Sequence, residues 1–299
     1  MCGIVGLFLK EKSLEPELGQ HLSTMISVMS DRGPDSAGFA IYGAETPDTL
    51  KLTLRAPEDF DWQELLKAIM RRVGVLVHLR VRGTHAVLDF ESELETEIRT
   101  ALKGLAPDVS VVGSGFCMEI YKEAGLPTEV AKRFKLEAMQ GTHGIGHTRM
   151  ATESAVTTKG AHPFSSGRDQ CLVHNGSLSN HNSVRRDLMQ KGLKFETDND
   201  SEVAAVFLTA QMRKGMNLGE ALNTSLRELD GFYTFVVGTA SGFGVLRDAI
   251  ACKPAVMAET KSYVAFGSEY RALAALPDIS AARIWEPEPA RVYFWERGR

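Results

Sequence analysis

Cys2 directly follows Met1 in MCGIVGLFLK. A cysteine at this position can become residue one, because its small side chain permits removal of the methionine. It would then hold two useful groups, a free α-amine with pKa ~7.7–8.0 and a thiol near ~8.5. The amine can take the thiol proton directly or through a water, and the thiolate is the reactive nucleophile. No distant histidine is required. On the dipeptide alone, the plainer reading is a small residue opening a strand. His143 and His147, with His162 and His174 beyond, invite a metal check. In a strand the first two share a face but lie far apart, and Gly144 and Gly146 are unlike a helical metal site, so no metal is expected. Cys117, Cys171 and Cys252 form no C-x-x-C pair and read as buried small apolar residues.

The elements that must position these groups follow from hydrophobic period. Residues 3–8 (GIVGLF) read as a buried strand starting next to Cys2. Leu18, Leu22, Met25, Ile26 and Met29 mark one face of a helix. The Gly-, Pro-, Asp- and Ser-rich SDRGPDSAG is a turn cluster before the strand FAIYG. Residues 51–135 change rhythm. LKLTLR reads as a strand, DWQELLKAIMRRV as a helix and VGVLVHLRVRG as a strand. DFESELETEIRTALKGL reads as a second helix with Ser92 and Glu95 in capping-box spacing, and VSVVGSG as a further strand. Beyond Thr142, GIGHTRM and QCLVHNGSLSN read as strands. Helices follow near 181–191, after TDNDSE and over NLGEALNTSLREL, and then a mainly β tail. Strands and helices in separate runs point to α+β layers.

The chain has 299 residues, 43% hydrophobic and 24% charged, which is ordinary globular composition. A formal net charge of -4 offers no basic surplus for nucleic acid. No apolar stretch approaches the ~18 residues of a membrane-spanning helix, and the N-terminus lacks the pattern of a signal peptide. A reduced, cytoplasmic protein is expected.

MCGIVGLF, DRGPDSAG, GHTRMAT, AHPF, HNGSLSN and TDNDSE occur in this order. Together they resemble the class II (N-terminal nucleophile) glutamine amidotransferases over about residues 2–45 and 140–270. The resemblance implies a four-layer αββα sandwich, the N-terminal nucleophile hydrolase fold. One domain would span 2–299, interrupted by an inserted α/β subdomain at about 51–135. It also implies roles. Cys2 matches the nucleophile, and Asn175 and Gly176 match an oxyanion hole for the carbonyl oxygen under attack. Arg149 matches the group that grips the substrate carboxylate, for which its bidentate fork is suited. Asp200 matches the partner of the substrate ammonium, with Asp198 a nearby competitor, and Thr152 a further substrate contact. Arg32 and Gly33 match a structural turn beside the nucleophile. Read without the resemblance, Asn175-Gly176 is a hairpin turn and Asp200 a helix N-cap. Met150 stands where relatives often carry an aromatic, and Glu153-Ser154 where some carry His-Gly.

The implied reaction converts L-glutamine and water to glutamate and ammonia through a thioester on Cys2, with no cofactor on this chain. The glutaminase pattern fills the chain, so ammonia is expected to pass to a partner synthase subunit. The chain resembles the amidotransferase subunit of glutamate synthase-like and N-methylglutamate synthase complexes, whose partner subunits are expected to carry FMN and iron–sulfur clusters. Two alternatives stay open: a hydrolase of another γ-glutamyl amide without ammonia transfer, and a non-catalytic assembly subunit.

Overall fold

The computed structural model describes residues 2–151 and 156–297. Three antiparallel sheets organise it. The first joins β1 (Gly3–Leu9), β2 (Ser36–Tyr42), β7 (Met118–Ala124), β8 (His143–Arg149), β13 (Val256–Glu259), β14 (Tyr263–Gly267) and β15 (Arg283–Trp285), in the order β15-β13-β14-β1-β8-β2-β7. The second joins β9 (Phe164–Gly167), β10 (Gln170–Leu178), β11 (Gly231–Gly238), β12 (Gly242–Arg247) and β16 (Val292–Glu296), in the order β16-β12-β11-β10-β9. The third contains β3 (Thr49–Arg55), β4 (His78–Arg82), β5 (His85–Glu91) and β6 (Ser110–Gly115), in the order β4-β5-β3-β6. The helices are α1 (Leu18–Val28), α2 (Trp62–Val73), α3 (Glu95–Leu105), α4 (Pro127–Arg133), α5 (His181–Gln190), α6 (Asp200–Met212) and α7 (Leu218–Glu228).

The core follows from which strand faces are apolar. Every residue of β1 is buried, as its near-continuous apolar run requires. Val5, Leu7 and Leu9 face α1 and α4, whereas Ile4 and Phe8 meet Val236, Phe243 and Val245 of the second sheet. A third cluster packs Leu172, Phe235 and Val237 against Val203, Phe207 and Leu222 of α6 and α7. These clusters are what a helix–sheet–sheet–helix stacking requires. α6 is apolar on nearly all sides and is buried accordingly.

The third sheet has its own core, with Leu52, Leu54 and Leu88 against Trp62, Ile69 and Ile98 of α2 and α3. This separate unit runs from Thr49 to Gly115 and is narrower than the expected 51–135. β7 instead pairs with β2, from Ser36↔Ala124 to Tyr42↔Met118, and α4 packs on the first sheet. The unit also contains a strand that its sequence hides. His85–Glu91 is β5, so DFE ends a strand rather than starting a helix. Ser92 forms no capping box; it enters a 3-10 turn, and α3 has no side-chain cap. Asp61 does cap α2, accepting from the Gln63 and Glu64 N–H groups at 3.0 and 2.9 Å. A true capping box joins Asn217 and Glu220 at α7.

Candidate active site

Cys2 is half-buried at the mouth of β1, held there by its register between β8 and β14. Its carbonyl oxygen accepts from Arg32 Nε at 3.1 Å and from the Asn175 amide Nδ2 at 3.3 Å. Its Sγ lies 3.9 Å from the Met150 carbonyl oxygen. Arg32 is buried and continues to Glu269, which also pairs with Arg271. Gly33 is required by close approach, because a Cβ there would fall 2.5 Å from the Thr148 backbone. The DRG turn thus packs directly on β8 and braces the Cys2 backbone.

Asn175 and Gly176 do not form a turn. They lie within β10, opposite Thr234 and Tyr233 of β11. Gly176 adopts φ +149°, and a Cβ would fall 2.0 Å from the Phe232 carbonyl oxygen. Only glycine fits there, and pairing with β11 runs through it without a register shift. Asp200 is the first residue of α6, while Asn199 is the N-cap, accepting from Ser201 N–H at 2.8 Å. Asp200 Oδ2 accepts from the Leu178 N–H at 2.9 Å, so the carboxylate is tied to the end of β10.

One cleft of about 770 Å³ is lined by Cys2, Arg149, Asn175, Gly176 and Asp200, together with Asp198. The structure therefore brings together five expected site residues, from the position just before β1 and from β8, β10 and α6. Thr152, and with it Glu153 and Ser154, lies outside the described residues. The cleft carries charges of both signs, from Arg149, Lys159 and Lys253 and from Glu196, Asp198 and Asp200. That is the complement a zwitterionic amino acid needs. Lys159, Lys253 and Glu196 carried no motif signal. Nor did Glu269, which reaches Arg32 across 237 residues of chain. Asp35 had one, since it belongs to the turn cluster; its Oδ2 accepts the Ala151 N–H at 2.7 Å and holds the strand exit after Arg149.

His162 and His174 line the cleft, and His147 lies behind them. The rings of His147 and His162 stack at 4.0 Å, and His147 Nε2 donates to the His174 carbonyl at 3.0 Å. Burial pushes the His147 pKa down to about 3, so the ring is neutral. His174 is also lowered by burial, against the opposing pull of Asp200, 3.7 Å away. Among the described residues no group of His, Cys, Asp or Glu has the arrangement of a metal site. Cys117 and Cys171 are buried, but Cys252 is exposed on the loop after β12, contrary to the expectation from composition.

A cleft of mixed charge, lined by a half-buried cysteine whose backbone is braced, has the character of a small-molecule site. Comparison with known proteins specifies the family. A model described as a glutamine amidotransferase domain matches residues 147–275. The chain is 61% identical to the glutamine amidotransferase-like protein GlxB of Rhizobium meliloti (strain 1021), over 99% of this chain and 98% of that one. It is 33% identical to a putative glutamine amidotransferase of Methanothermobacter thermautotrophicus, over 98% and 99% of the two chains. In fold it is similar to the glutamine phosphoribosylpyrophosphate amidotransferase of B. subtilis, with TM-score 0.63 at 20% identity. That match covers 99% of this chain and 47% of the solved one, so the chain spans about half of that protein. The chain belongs to the glutamine amidotransferase family, enzymes that hydrolyse glutamine, and has the fold of its class II members. Among the described residues no helix is long and apolar enough to cross a membrane.

Proposed function

We propose that this chain is the glutaminase subunit of a cytoplasmic, glutamate synthase-like complex, with Cys2 as its nucleophile. The carrying observation is that Cys2, Arg149, Asn175, Gly176 and Asp200 line one cleft although they are far apart in sequence. Arg149 receives the α-carboxylate of glutamine and Asp200 its α-ammonium, which leaves the γ-amide to reach Cys2. In the mature chain Cys2 is residue one, and its α-amine takes the thiol proton. Sγ attacks the amide carbon, and the Asn175 amide and Gly176 N–H stabilise the oxyanion. Collapse breaks the C–N bond, and the amine's proton leaves with the nitrogen as ammonia. Water, activated by the same amine, then hydrolyses the thioester to glutamate and restores the thiol.

Ammonia in bulk water is mostly protonated and loses its nucleophilicity. The reading therefore includes a hetero-oligomer whose synthase subunits receive ammonia directly and carry FMN and iron–sulfur clusters. Replacing Cys2 by Ala tests the hydrolytic half. Glutamate release from glutamine is expected to fall by roughly 10⁴-fold or more with the fold retained; unchanged release overturns it. Active enzyme is expected to show an intact mass beginning at Cys2. Purification from native cells is expected to bring down flavin-containing subunits.

A further inference from the structure

A second cavity, of about 560 Å³, opens where the third sheet meets the sandwich. Its walls come from the ends of β3 and β6, from β7 and β9, and from α6 and the segment before it. The volume is within the usual range for small-ligand sites.

Its charge is unbalanced. Arg55, Lys122, Lys159, Lys194 and Arg213 line it, against Asp108, Glu196 and Glu202. Two of those carboxylates are already engaged. Glu202 accepts from the N–H groups of Glu196 and Thr197, both at 2.7 Å, and from the Thr197 hydroxyl at 2.6 Å. Glu196 pairs with Lys159 at 3.9 Å. Among the described residues Arg55, Lys122, Lys194 and Arg213 take part in no ion pair. Arg55 Nε is buried without a hydrogen-bond partner. Lys122 is only 5% exposed, and its ammonium donates to the carbonyls of Ala161 at 2.8 Å and Pro163 at 3.2 Å. The carbonyl dipoles and the Phe164 ring, 4.7 Å away, solvate that charge, and Glu196 and Glu202 act on it from a distance without a direct ion pair; a buried cation with no contacting counter-ion is costly.

We propose that this cavity is a second ligand site, which takes a small metabolite bearing two or more anionic groups and transmits its occupancy to the glutamine cleft. The binding part stands on the cavity alone; the transmission part rests on the glutaminase reading. Lys159, Glu196 and Thr197 line both cavities, so they form a shared wall. Thr158, beside them, donates to Glu123, which also accepts from Thr84 of the third sheet's unit at 2.7 Å. An anion drawn towards Arg55 and Lys159 competes with Glu196 for Lys159 and shifts that wall.

Calorimetric titration of the full chain with pyrophosphate and, separately, citrate tests binding and distinguishes a phosphate from a carboxylate ligand. Saturable binding of one probe, one per chain, is expected. Arg55→Gln should weaken it about tenfold. So should the double variant Lys194→Gln/Arg213→Gln, which changes only exposed rim residues and keeps the fold secure. Burial holds the Lys122 pKa down to about 8, and a bound anion raises it. At pH 8, binding should therefore take up protons, seen as a dependence of the heat on the buffer's ionisation enthalpy. No saturable binding of either probe, or binding indifferent to both variants, overturns the site. The probe should also change the KM for glutamine at least threefold. Binding without a KM change overturns the transmission and leaves the site standing. A chain that binds the probe but never turns over glutamine refutes the glutaminase reading instead.

Discussion

The sandwich and the third sheet's unit solve different problems with similar elements. In the sandwich, β1, β2 and β8 are buried on both faces, and the His143, His147 and Lys122 side chains are held by backbone carbonyls. In the third sheet's unit one face packs on α2 and α3, while the edge strand β4 remains largely exposed. The residues proposed for catalysis all belong to the sandwich, whose burial supplies the rigidity and low dielectric that an oxyanion hole exploits. Among the described residues none of the smaller unit lines the Cys2 cleft, but Arg55, Asp108 and Ser110 of that unit line the second cavity beside it. On the proposed reading, position is the sandwich's contribution and adjustment is the unit's. Beyond the nucleophile, four measurements can break or sharpen that contrast.

Asn175→Ala removes a donor proposed for the oxyanion. A loss of about 10²–10³ in kcat with little change in Tm is expected; a comparable loss of stability would recast Asn175 as a clamp on Cys2. Asp169 governs the seam between the regions. It precedes β10, and its carboxylate accepts the N–H groups of Phe116, Cys117 and Met118 at 2.8, 2.9 and 3.0 Å. These residues form the passage from β6 to β7. Asp169→Ala leaves three donors unpaired and should cost about 3 kcal/mol in urea unfolding. If the two regions then unfold in separate transitions, the seam was what coupled them.

Acid should act on the sandwich first. Burial holds His143 and His147 down to about 3, and the sandwich also buries His162 and His174, whereas the third sheet contributes only His85. For each, the unfolded state binds a proton that the folded state refuses. The stabilisation is full above the unfolded pKa of ~6.5 and drains away as pH falls toward the folded value. Stability should therefore decline by roughly 1 kcal/mol or more per pH unit below about 6, read by thermal unfolding across pH. Hydrogen exchange at β8 and β10 should rise before exchange at β3. The smallest effect belongs to Asp61→Ala, which removes the α2 cap. It should cost about 1 kcal/mol, visible in exchange of the first α2 amides, and leave glutamine turnover unchanged. A fall in kcat would tie the smaller unit to the chemistry.

Much of the site was legible because its motifs are local. Cys2 beside a buried strand, a turn at Arg32-Gly33 and the Asn175-Gly176 pair are each read within a few residues. What misled is equally physical. Ser92 and Glu95 have capping-box spacing, but Asp89–Glu91 are held in β5 by pairing with β3, which moves the helix start past Ser92. Asn175-Gly176 has hairpin chemistry, yet continuous pairing of β10 with β11 keeps it in a strand. In both cases tertiary pairing overrode a local preference.

By itself the sequence determined the nucleophile candidate, the order of the motifs, the α+β class and the presence of a differently patterned middle segment. Hydrophobic period and special residue types encode these directly. Only the tertiary structure decided that Glu269 anchors Arg32, that Asp169 closes the seam, that β7 belongs to the sandwich and that a cationic cavity adjoins the Cys2 cleft. Each depends on side chains or strands meeting across long stretches of chain, and spacing carries no record of such encounters. The sheet register that places Gly3 opposite Thr148 is what sets Cys2 beside Arg149, and it exists only once the layers have packed.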